Sequence, residues 1–246
     1  MYRLKYLGWL WLLYIAASCK TVQHHASTDV KYIETGEVTG EDADMLEMIK
    51  PFREKMSQEM DIVIGDLPET LYKNRPNSNL GNWFADVLLY EADQMFFKEV
   101  DLALQNYGGL RVKSVAAGPL TKGEIYELMP FDNTLVVLEM RGDTLEILIQ
   151  AIDDKGGWPM SHTLSYKSTS TGAKDIKIKG EPLDKNKSYR VVLPDYVANG
   201  GDQADFLKDI PQEDSGVYIR DIIISHLEVL QEEGKAIIID NAKRVH

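Results

Sequence analysis

Residues 101–111 have the sequence Asp-Leu-Ala-Leu-Gln-Asn-Tyr-Gly-Gly-Leu-Arg, which joins a short apolar run to a glycine-marked loop. The run at 102–104 predicts a buried strand that leads straight into the loop. The paired Gly108 and Gly109 let the backbone take turns that other residues avoid and let a ligand approach closely. Arg111 ends the loop with a fork of donors suited to a phosphate or a carboxylate. A Gly-Gly pair by itself is usually only a turn.

Two further loops carry an aromatic side chain beside short polar groups. The loop at 128–133 presents Phe131 two residues ahead of Asn133, and the third loop places Tyr196 six residues ahead of Asp202. Each loop follows a predicted strand or helix, and each signal is weak when it stands alone. Phe131 alone would more often belong to a core, and Asp202 alone could cap a following helix.

The rest of the sequence places these loops in a mixed set of helices and strands. Apolar periodicity predicts helices at 41–60, 79–95, 143–153 and 221–233, with Pro51 as a candidate kink in the first. Short apolar runs predict strands at 61–65, 101–104, 134–140, 189–193 and 236–239. Because helices and strands do not alternate regularly, the expected fold is α+β, a single domain with a mixed β-sheet and packed helices.

The N-terminus has the pattern of an export signal. Two basic residues precede an apolar stretch that is shorter than a membrane span of roughly 20 residues, and small residues precede Cys19, the only cysteine. The segment Ile-Ala-Ala-Ser-Cys at 15–19 resembles a lipobox. The predicted organisation is a signal peptide at 1–18, a lipid-anchored tether at 19–34 and a folded domain at 35–246. The signal peptide would export the chain, and the lipid would anchor it to the bacterial cell envelope, on its periplasmic or surface face. An ordinary signal peptide cut near a chance cysteine and a retained membrane anchor are the alternatives.

The charge balance limits the kinds of partner. The chain has 39 acidic and 27 basic side chains, for a net charge of −12. Nucleic-acid polymers require a basic footprint, so the composition argues against them as ligands. A small phosphorylated ligand stays compatible, because a few local cationic groups can hold it.

Five motifs in order carry a resemblance to a known family. They are Ser-Asn-Leu-Gly-Asn at 78–82, Asn-Tyr-Gly-Gly-Leu-Arg at 106–111, Gly-Pro-Leu-Thr at 118–121, Tyr-Glu-Leu-Met-Pro-Phe-Asp-Asn-Thr-Leu at 126–135 and Ala-Asn-Gly-Gly-Asp at 198–202. This series resembles the C-terminal domain of 5'-nucleotidases over about residues 35–242. The resemblance implies that the domain binds the nucleoside part of a nucleotide.

The resemblance also implies roles for individual residues. Phe131 and Tyr196 fall on the two aromatics that clamp the base, and Asp202 falls on the carboxylate that binds the ribose hydroxyls. Asn106 and Arg111 fall on the residues that face the base and the phosphate. Stacking on an aromatic is worth roughly 1–3 kcal/mol per base, and a hydrogen bond to a carboxylate about 1.5–3 kcal/mol. Asn133 in the second loop is a further candidate substrate contact.

Four positions depart from the family pattern, one of them Leu110, where the family usually has Ile. The family usually has Glu where this chain has Asn77, and glycine where it has the bulky Tyr107, which could narrow the pocket. The family has a phosphate-directed arginine in the loop just before the Ser-Asn-Leu-Gly-Asn motif. That position falls on Asn74 in this chain, with Arg75 one residue away. Phosphate contact from that loop is therefore in question.

The metal-binding motifs of full-length family members are missing from the sequence. In those proteins an N-terminal metallophosphoesterase domain holds two metals with Asp-x-His, Gly-Asn-His and Gly-His-x-His motifs. The five histidines of this chain fall in none of these; they are His24, His25, His162, His226 and His246. We expect no metal or other cofactor in this chain and no hydrolysis by the chain alone.

Two functions remain open from the sequence. In the first, the chain is the nucleotide-recognition part of a 5'-nucleotidase and acts with a separate metallophosphoesterase chain. In the second, it is a free-standing nucleotide- or nucleoside-binding lipoprotein without catalysis. In both, the predicted partners are a nucleotide or nucleoside and, through Cys19, a lipid membrane.

Overall fold

The structure, a computed structural model, describes residues 42–246. The chain divides into two units, residues 1–48 and 49–246. Of the first unit the described residues are 42–48, which contain the start of the first helix; the other elements belong to the second unit. The predicted signal peptide, Cys19 and the tether lie outside the described residues. Within the described part, no helix combines the length and the apolar character needed to cross a membrane.

Residues 42–246 form six α-helices and eleven β-strands. The helices are α1 (Ala43–Met60), α2 (Asn79–Met95), α3 (Lys122–Leu128), α4 (Gly142–Asp154), α5 (Asp195–Ala198) and α6 (Ile219–Glu232). The strands are β1 (Val63–Leu67), β2 (Leu71–Tyr72), β3 (Leu102–Ala103), β4 (Ser114–Val115), β5 (Gly118–Thr121), β6 (Thr134–Arg141), β7 (Leu164–Thr169), β8 (Gly172–Ile178), β9 (Glu181–Pro182), β10 (Ser188–Pro194) and β11 (Gln212–Tyr218).

A four-stranded mixed sheet lies at the centre of the second unit. Its strand order is β11-β6-β10-β3, with β3 parallel to β10 and the other neighbours antiparallel. Successive side chains of β6 enter different hydrophobic clusters: Leu135 and Val137 belong to one, Val136 and Leu138 to the other. This period of two means that the sheet is covered on both faces. The α+β fold with a mixed sheet is therefore confirmed.

Helices α2 and α6 cover one face of the sheet. Phe84 and Leu88 of α2 and Ile223 and Leu227 of α6 are fully buried in the first cluster. Burial of one such side chain stabilises the fold by roughly 1.5–3 kcal/mol. The Ser78 hydroxyl caps α2 by accepting a hydrogen bond of 2.9 Å from the backbone N–H three residues later. The aromatic and aliphatic stripe at 79–95 is thus core packing.

Helix α4 and the three-stranded sheet β7-β8-β9 cover the other face. Leu145, Ile149 and Ile152 of α4 are buried in the second cluster together with Leu164 and Ile178 of this smaller sheet. The sequence did not predict β7, β8 or β9. These strands have few apolar residues, because much of each strand is exposed and carries lysine or other polar side chains.

Two predicted elements differ in the structure. Residues 236–239 form no strand; the run is apolar because Ile237 is buried against Gly65 and α6, without a partner strand for its backbone. Helix α1 continues through Pro51, which removes only one helical N–H donor. None of the residues of α1 is buried.

A segment at the C-terminus, residues 240–246, ties the start of α2 to β7; we call it the C-terminal strap. The buried guanidinium of Arg244 pairs with Asp86 and, at 3.1 Å, with Asp240. The Asn77 carboxamide oxygen accepts hydrogen bonds of 2.9 Å from the backbone N–H groups of Arg244 and Val245. The amide at a position where the family usually has Glu therefore holds the strap.

Candidate functional site

The three loops singled out from the sequence leave the same edge of the central sheet. Strand β3 runs parallel to β10, so their carboxyl ends at Ala103 and Pro194 meet at one edge. Strand β6 is antiparallel, and its first residues pair with the last of β10, Leu135 opposite Pro194. The loop after β3, the loop before β6 and the loop after β10 are therefore neighbours. The first and second loops are also joined by a hydrogen bond of 2.8 Å from the Arg111 backbone N–H to the Leu128 carbonyl.

The loops enclose a cleft of about 590 Å³, a volume usual for a small-molecule site. All six candidate residues line it. The lining residues are Asn106, Gly108, Gly109, Arg111, Phe131, Asp132, Asn133, Tyr196 and Asp202.

Polar side chains of the cleft form hydrogen bonds with one another. Asn106 donates from Nδ2 to Oδ2 of Asp202 at 2.7 Å. Gln105, which is fully buried, donates from Nε2 to Oδ1 of Asn106 at 2.9 Å. Because Gln105 occupies the acceptor end of the Asn106 amide, the donor end is directed at Asp202. The ammonium of Lys155 bonds to the Asp202 backbone carbonyl.

Asp202 occupies a constrained backbone position. Its φ of 53° lies in the left-handed region, which a short polar residue tolerates better than most. Its carboxylate is bonded to Asn106, and the two short 3₁₀ turns around it, 201–203 and 205–207, have no side-chain cap. Asp202 therefore does not act as the helix cap considered from the sequence.

Gly201 allows the Tyr196 ring to pack on the loop. A Cβ at position 201 would lie 2.5 Å from both the Tyr196 carbonyl oxygen and the ring carbon Cζ. Any side chain there would displace the ring. Tyr196 and Phe131 stay 47% and 38% exposed, so each offers ring surface to the cleft.

Side chains outside the cleft fix the other two loops. Asp195 accepts at Oδ1 from Nδ2 of Asn133 at 2.8 Å and from the Tyr196 backbone N–H at 2.7 Å, which joins the second loop to the third. Arg220 donates to the Phe131 carbonyl at 3.3 Å and to Oδ1 of Asp132 at 2.9 Å. Burial opposes the charge of Arg220, but the Asp132 hydrogen bond and nearby negative groups outweigh it, and the pKa of Arg220 is raised.

Tyr107 does not narrow the cleft. It is absent from the lining residues, and its ring instead faces two cations: Nζ of Lys73 lies 3.9 Å and Cζ of Arg75 3.7 Å from its centroid. Burial lowers the pKa of Lys73, and the charges of Arg111 and Arg75 lower it further. A group of three cations thus lies beside the cleft.

The described histidines are engaged in structural contacts. His162 lies 3.1 Å from Asp86 and His226 lies 2.6 Å from Glu91, each through Nδ1. His246 is held through its backbone N–H, while His24 and His25 lie outside the described residues. Within residues 42–246, no three His, Cys, Asp or Glu side chains are grouped so that they could hold a metal ion.

Comparison with known families identifies the domain that contains this cleft. The family profile for the 5'-nucleotidase C-terminal domain matches residues 63–209, a range that includes all three loops. The chain belongs to the 5'-nucleotidase C-terminal domain family. The resemblance drawn from the five motifs is thereby confirmed.

Relatives and solved structures agree with this family. Protein UshA of Yersinia enterocolitica is 29% identical over 187 residues, 74% of this chain and 34% of that protein. A 5'-nucleotidase of Vibrio cholerae is 28% identical over 180 residues, 70% of this chain and 31% of that protein. The crystal structure of a 5'-nucleotidase precursor from Thermus thermophilus superposes with a TM-score of 0.71 and 28% identity, covering 84% of this chain and 43% of that one. This C-terminal-domain chain spans about a third of the length of the two curated relatives.

Several residues that shape the site were not found from the sequence. Gln105 directly precedes the first loop, and Asp195 begins the third, so their position beside the motifs was an available signal. Lys155 is 47 positions from Asp202, and nothing local connects the two. Lys73 lies in none of the five motifs that carry the family resemblance.

Proposed function

We propose that this chain is the nucleotide-recognition part of a 5'-nucleotidase, that it binds nucleoside monophosphates in the cleft, and that a separate metallophosphoesterase chain supplies hydrolysis. The observation that carries the proposal is the convergence of six candidate residues from three distant loops on one cleft of about 590 Å³. Family membership over residues 63–209 supports the same ligand class.

Each part of the nucleotide has a chemically suited partner in this proposal. The base stacks against the exposed ring faces of Phe131 and Tyr196, while the amides of Asn106 and Asn133 contact its edge. The Asp202 carboxylate uses one oxygen for Asn106 and offers the other to a ribose hydroxyl. Arg111 faces the phosphate.

The separate catalytic chain is proposed because no histidine of this sequence falls in the motifs that hold the two metals in full-length family members. This chain would hold the nucleoside while the phosphate reaches the metals of the metallophosphoesterase chain. Binding energy from the nucleoside, remote from the reacting bond, would then position the phosphate.

Export and lipid anchoring at Cys19 complete the proposal. An anchored recognition chain would act on nucleotides outside the cytoplasmic membrane. The support is the apolar segment followed by small residues and the only cysteine.

Reconstitution tests the division of labour. The purified chain with excess divalent metal should release no phosphate from nucleoside monophosphates above background. Mixed with a metallophosphoesterase chain that lacks a C-terminal domain, it should raise hydrolysis of nucleotides far more than hydrolysis of an aryl phosphate. Arg111→Ala should impair the mixture and leave nucleoside binding largely intact.

Two outcomes would contradict the proposal. Robust metal-dependent hydrolysis by the isolated chain would refute the two-chain enzyme. Nucleoside binding without stimulation of any candidate catalytic chain would favour the free-standing binding lipoprotein instead.

A further inference from the structure

Gln105 is fully buried and does not line the cleft, but its side chain is hydrogen-bonded to a residue that does. Nε2 of Gln105 donates to Oδ1 of Asn106 at 2.9 Å and lies 3.5 Å from the Asn106 backbone carbonyl oxygen. Among residues 42–246, Oε1 of Gln105 has no hydrogen-bond partner. Every hydrogen bond that this side chain makes within the described residues is therefore directed at Asn106.

The carboxylate of Asp202 fixes which way the Asn106 amide faces. An ionised carboxylate only accepts hydrogen bonds, so the group that lies 2.7 Å from its Oδ2 is the Nδ2 donor of Asn106. The other end of the amide, Oδ1, only accepts, and Gln105 supplies the donor that it requires. A reversed Asn106 amide would place its oxygen against the Asp202 carboxylate and its nitrogen against the nitrogen of Gln105.

Gln105 keeps the Asn106 amide from turning away from Asp202. Asn106 is 6% exposed, so without Gln105 its Oδ1 would be a buried acceptor that has lost its donor. Leaving a buried acceptor unpaired is unfavourable. Rotation of the Asn106 side chain toward another donor would relieve that cost, but it would break the hydrogen bond to Asp202.

Gly109 leaves the space in which this pair of amides lies. A Cβ at position 109 would lie 2.1 Å from Nε2 of Gln105 and 2.8 Å from Oδ1 of Asn106, and both distances are shorter than side-chain contacts allow. The backbone of Gly109 does not have a positive φ, so its conformation alone does not require glycine. The close approach of the two amides therefore explains why the first loop has glycine at this position.

We propose that Gln105 is a positioning residue for nucleoside recognition, because it holds Asn106 in the one orientation in which Nδ2 donates to both Asp202 and the ligand. Nδ2 carries two N–H groups: Asp202 accepts from one, and the other is available to a ligand because Asn106 lines the cleft. With Oδ1 bonded to Gln105, Asn106 presents a donor to the cleft, which suits a ring nitrogen or a carbonyl oxygen of a base. This inference rests on the proposed nucleotide binding.

A double-mutant cycle, measured by calorimetry with adenosine on the purified full-length protein, tests the inference. Gln105→Met fills a similar volume without a donor and should lower affinity about three- to tenfold, as expected for the loss of one neutral hydrogen bond. Asn106→Ala should lower affinity at least as much. In the Asn106→Ala protein, Gln105→Met should cause no further loss, because no amide is left to orient. Gln105→Asn keeps a polar amide but is one methylene shorter, so it should match Gln105→Met.

Gln150→Met is the matched control for loss of a glutamine side chain. Gln150 is a half-buried residue of α4 that makes two side-chain hydrogen bonds, but to the backbone of Ala173 on β8, and it does not line the cleft. Its adenosine affinity should stay at the wild-type value. Melting temperatures of all variants establish that they are folded.

The outcomes separate this inference from the proposed function. If the wild-type protein binds neither nucleoside nor nucleotide, the proposed function fails. If adenosine binds but folded Gln105→Met and Gln105→Asn proteins keep the wild-type affinity, the positioning role is wrong while nucleoside recognition stands. An equal loss from Gln105→Met in the wild-type and Asn106→Ala backgrounds would show that Gln105 supports the cleft by packing and not through Asn106.

Discussion

Asn106 and Asp202 are 96 positions apart in the chain, yet their side chains are joined at 2.7 Å. Asn133 and Asp195, 62 positions apart, are joined at 2.8 Å. At the scale of single residues, the cleft thus orders its polar groups before any ligand is present. Ordering in the free protein reduces the entropy that binding must remove, so each remaining hydrogen bond contributes more to affinity.

Asp202 is the residue whose substitution best tests ribose recognition. Asp202→Asn should lower nucleoside affinity about tenfold and leave affinity for the free base almost unchanged, because hydrogen bonds to a charged acceptor are the stronger ones. Calorimetry with adenosine and adenine measures the difference. Asp205→Asn is the matched control, since Asp205 is exposed, pairs with Lys208 and does not line the cleft. Equal losses for adenosine and adenine would make Asp202 a residue that only shapes its loop.

Phe131 and Tyr196 are predicted to stack on the base. Phe131→Ala should weaken nucleoside binding by about 1–3 kcal/mol, roughly ten- to a hundredfold, and Tyr196→Ala similarly. Phe131 is 38% exposed, so its removal should cost little stability. Phe206, also 38% exposed but outside the cleft, provides the control Phe206→Ala. Unchanged affinity in folded Phe131→Ala and Tyr196→Ala proteins would rule out the clamp.

At the scale of elements, the central sheet positions the three loops of the cleft, and the C-terminal strap holds the segment just before α2. The parallel pairing of β3 with β10 brings the first and third loops to one edge, and the antiparallel β6 brings the second. The strap binds Asn77, which lies between the Lys73–Arg75 loop and the start of α2. Stability of the strap and the geometry of that loop are therefore connected.

Arg244→Met should destabilise the fold through the strap. The substitution leaves the carboxylates of Asp86 and Asp240 without their shared cation. Removal of one partner from a buried pair costs about 3–5 kcal/mol, and we expect about 2–3 kcal/mol because both carboxylates are partly exposed. Urea unfolding measures the loss, and Lys243→Met, at an exposed neighbour, is the control. A loss below about 0.5 kcal/mol would show that the strap is not held by this network.

The strap should also make the free energy of unfolding depend on pH. Burial alone would raise the pKa of Asp240, but hydrogen bonds from the Ala242 backbone N–H and from Arg244 outweigh it and hold the pKa below its ordinary value. A carboxyl whose pKa is depressed by folding stabilises the folded state above its unfolded pKa and loses that contribution as pH falls through the folded pKa. Acid should therefore reduce stability below about pH 4 more in the wild-type protein than in Asp240→Asn. Parallel urea curves at about pH 3 and pH 7 measure the difference, and an equal change in both would contradict it.

At the scale of the whole molecule, a prediction concerns whether the folded domain is anchored to a membrane. Cys19→Ala should release the protein from the membrane fraction, because the acyl chains that would anchor it require this thiol. Cell fractionation with an antibody to the folded domain measures the distribution. Nucleoside binding by the released protein should be unchanged, since the cleft begins far from this position in the sequence. Retention of Cys19→Ala in the membrane at the wild-type level would refute the lipid anchor.

The sequence by itself determined the family, the fold class and the residues of the cleft. Five ordered motifs placed Asn106, Phe131 and Asp202 in three loops, and the stripe on 79–95 predicted α2 with its bounds. These features depend on local pattern: periodicity follows which face of an element is buried, and glycine-rich loops require particular residues at adjacent positions.

Only the tertiary structure decided which distant groups meet. It placed Lys155 on the Asp202 carbonyl, turned Tyr107 from the cleft toward Lys73 and Arg75, and left residues 236–239 without a partner strand. Such contacts arise when the chain closes on itself, and each depends on the packing of elements far apart in sequence. That packing decides which groups surround a side chain and therefore its charge environment. Contacts of this kind produce no periodic pattern in the sequence.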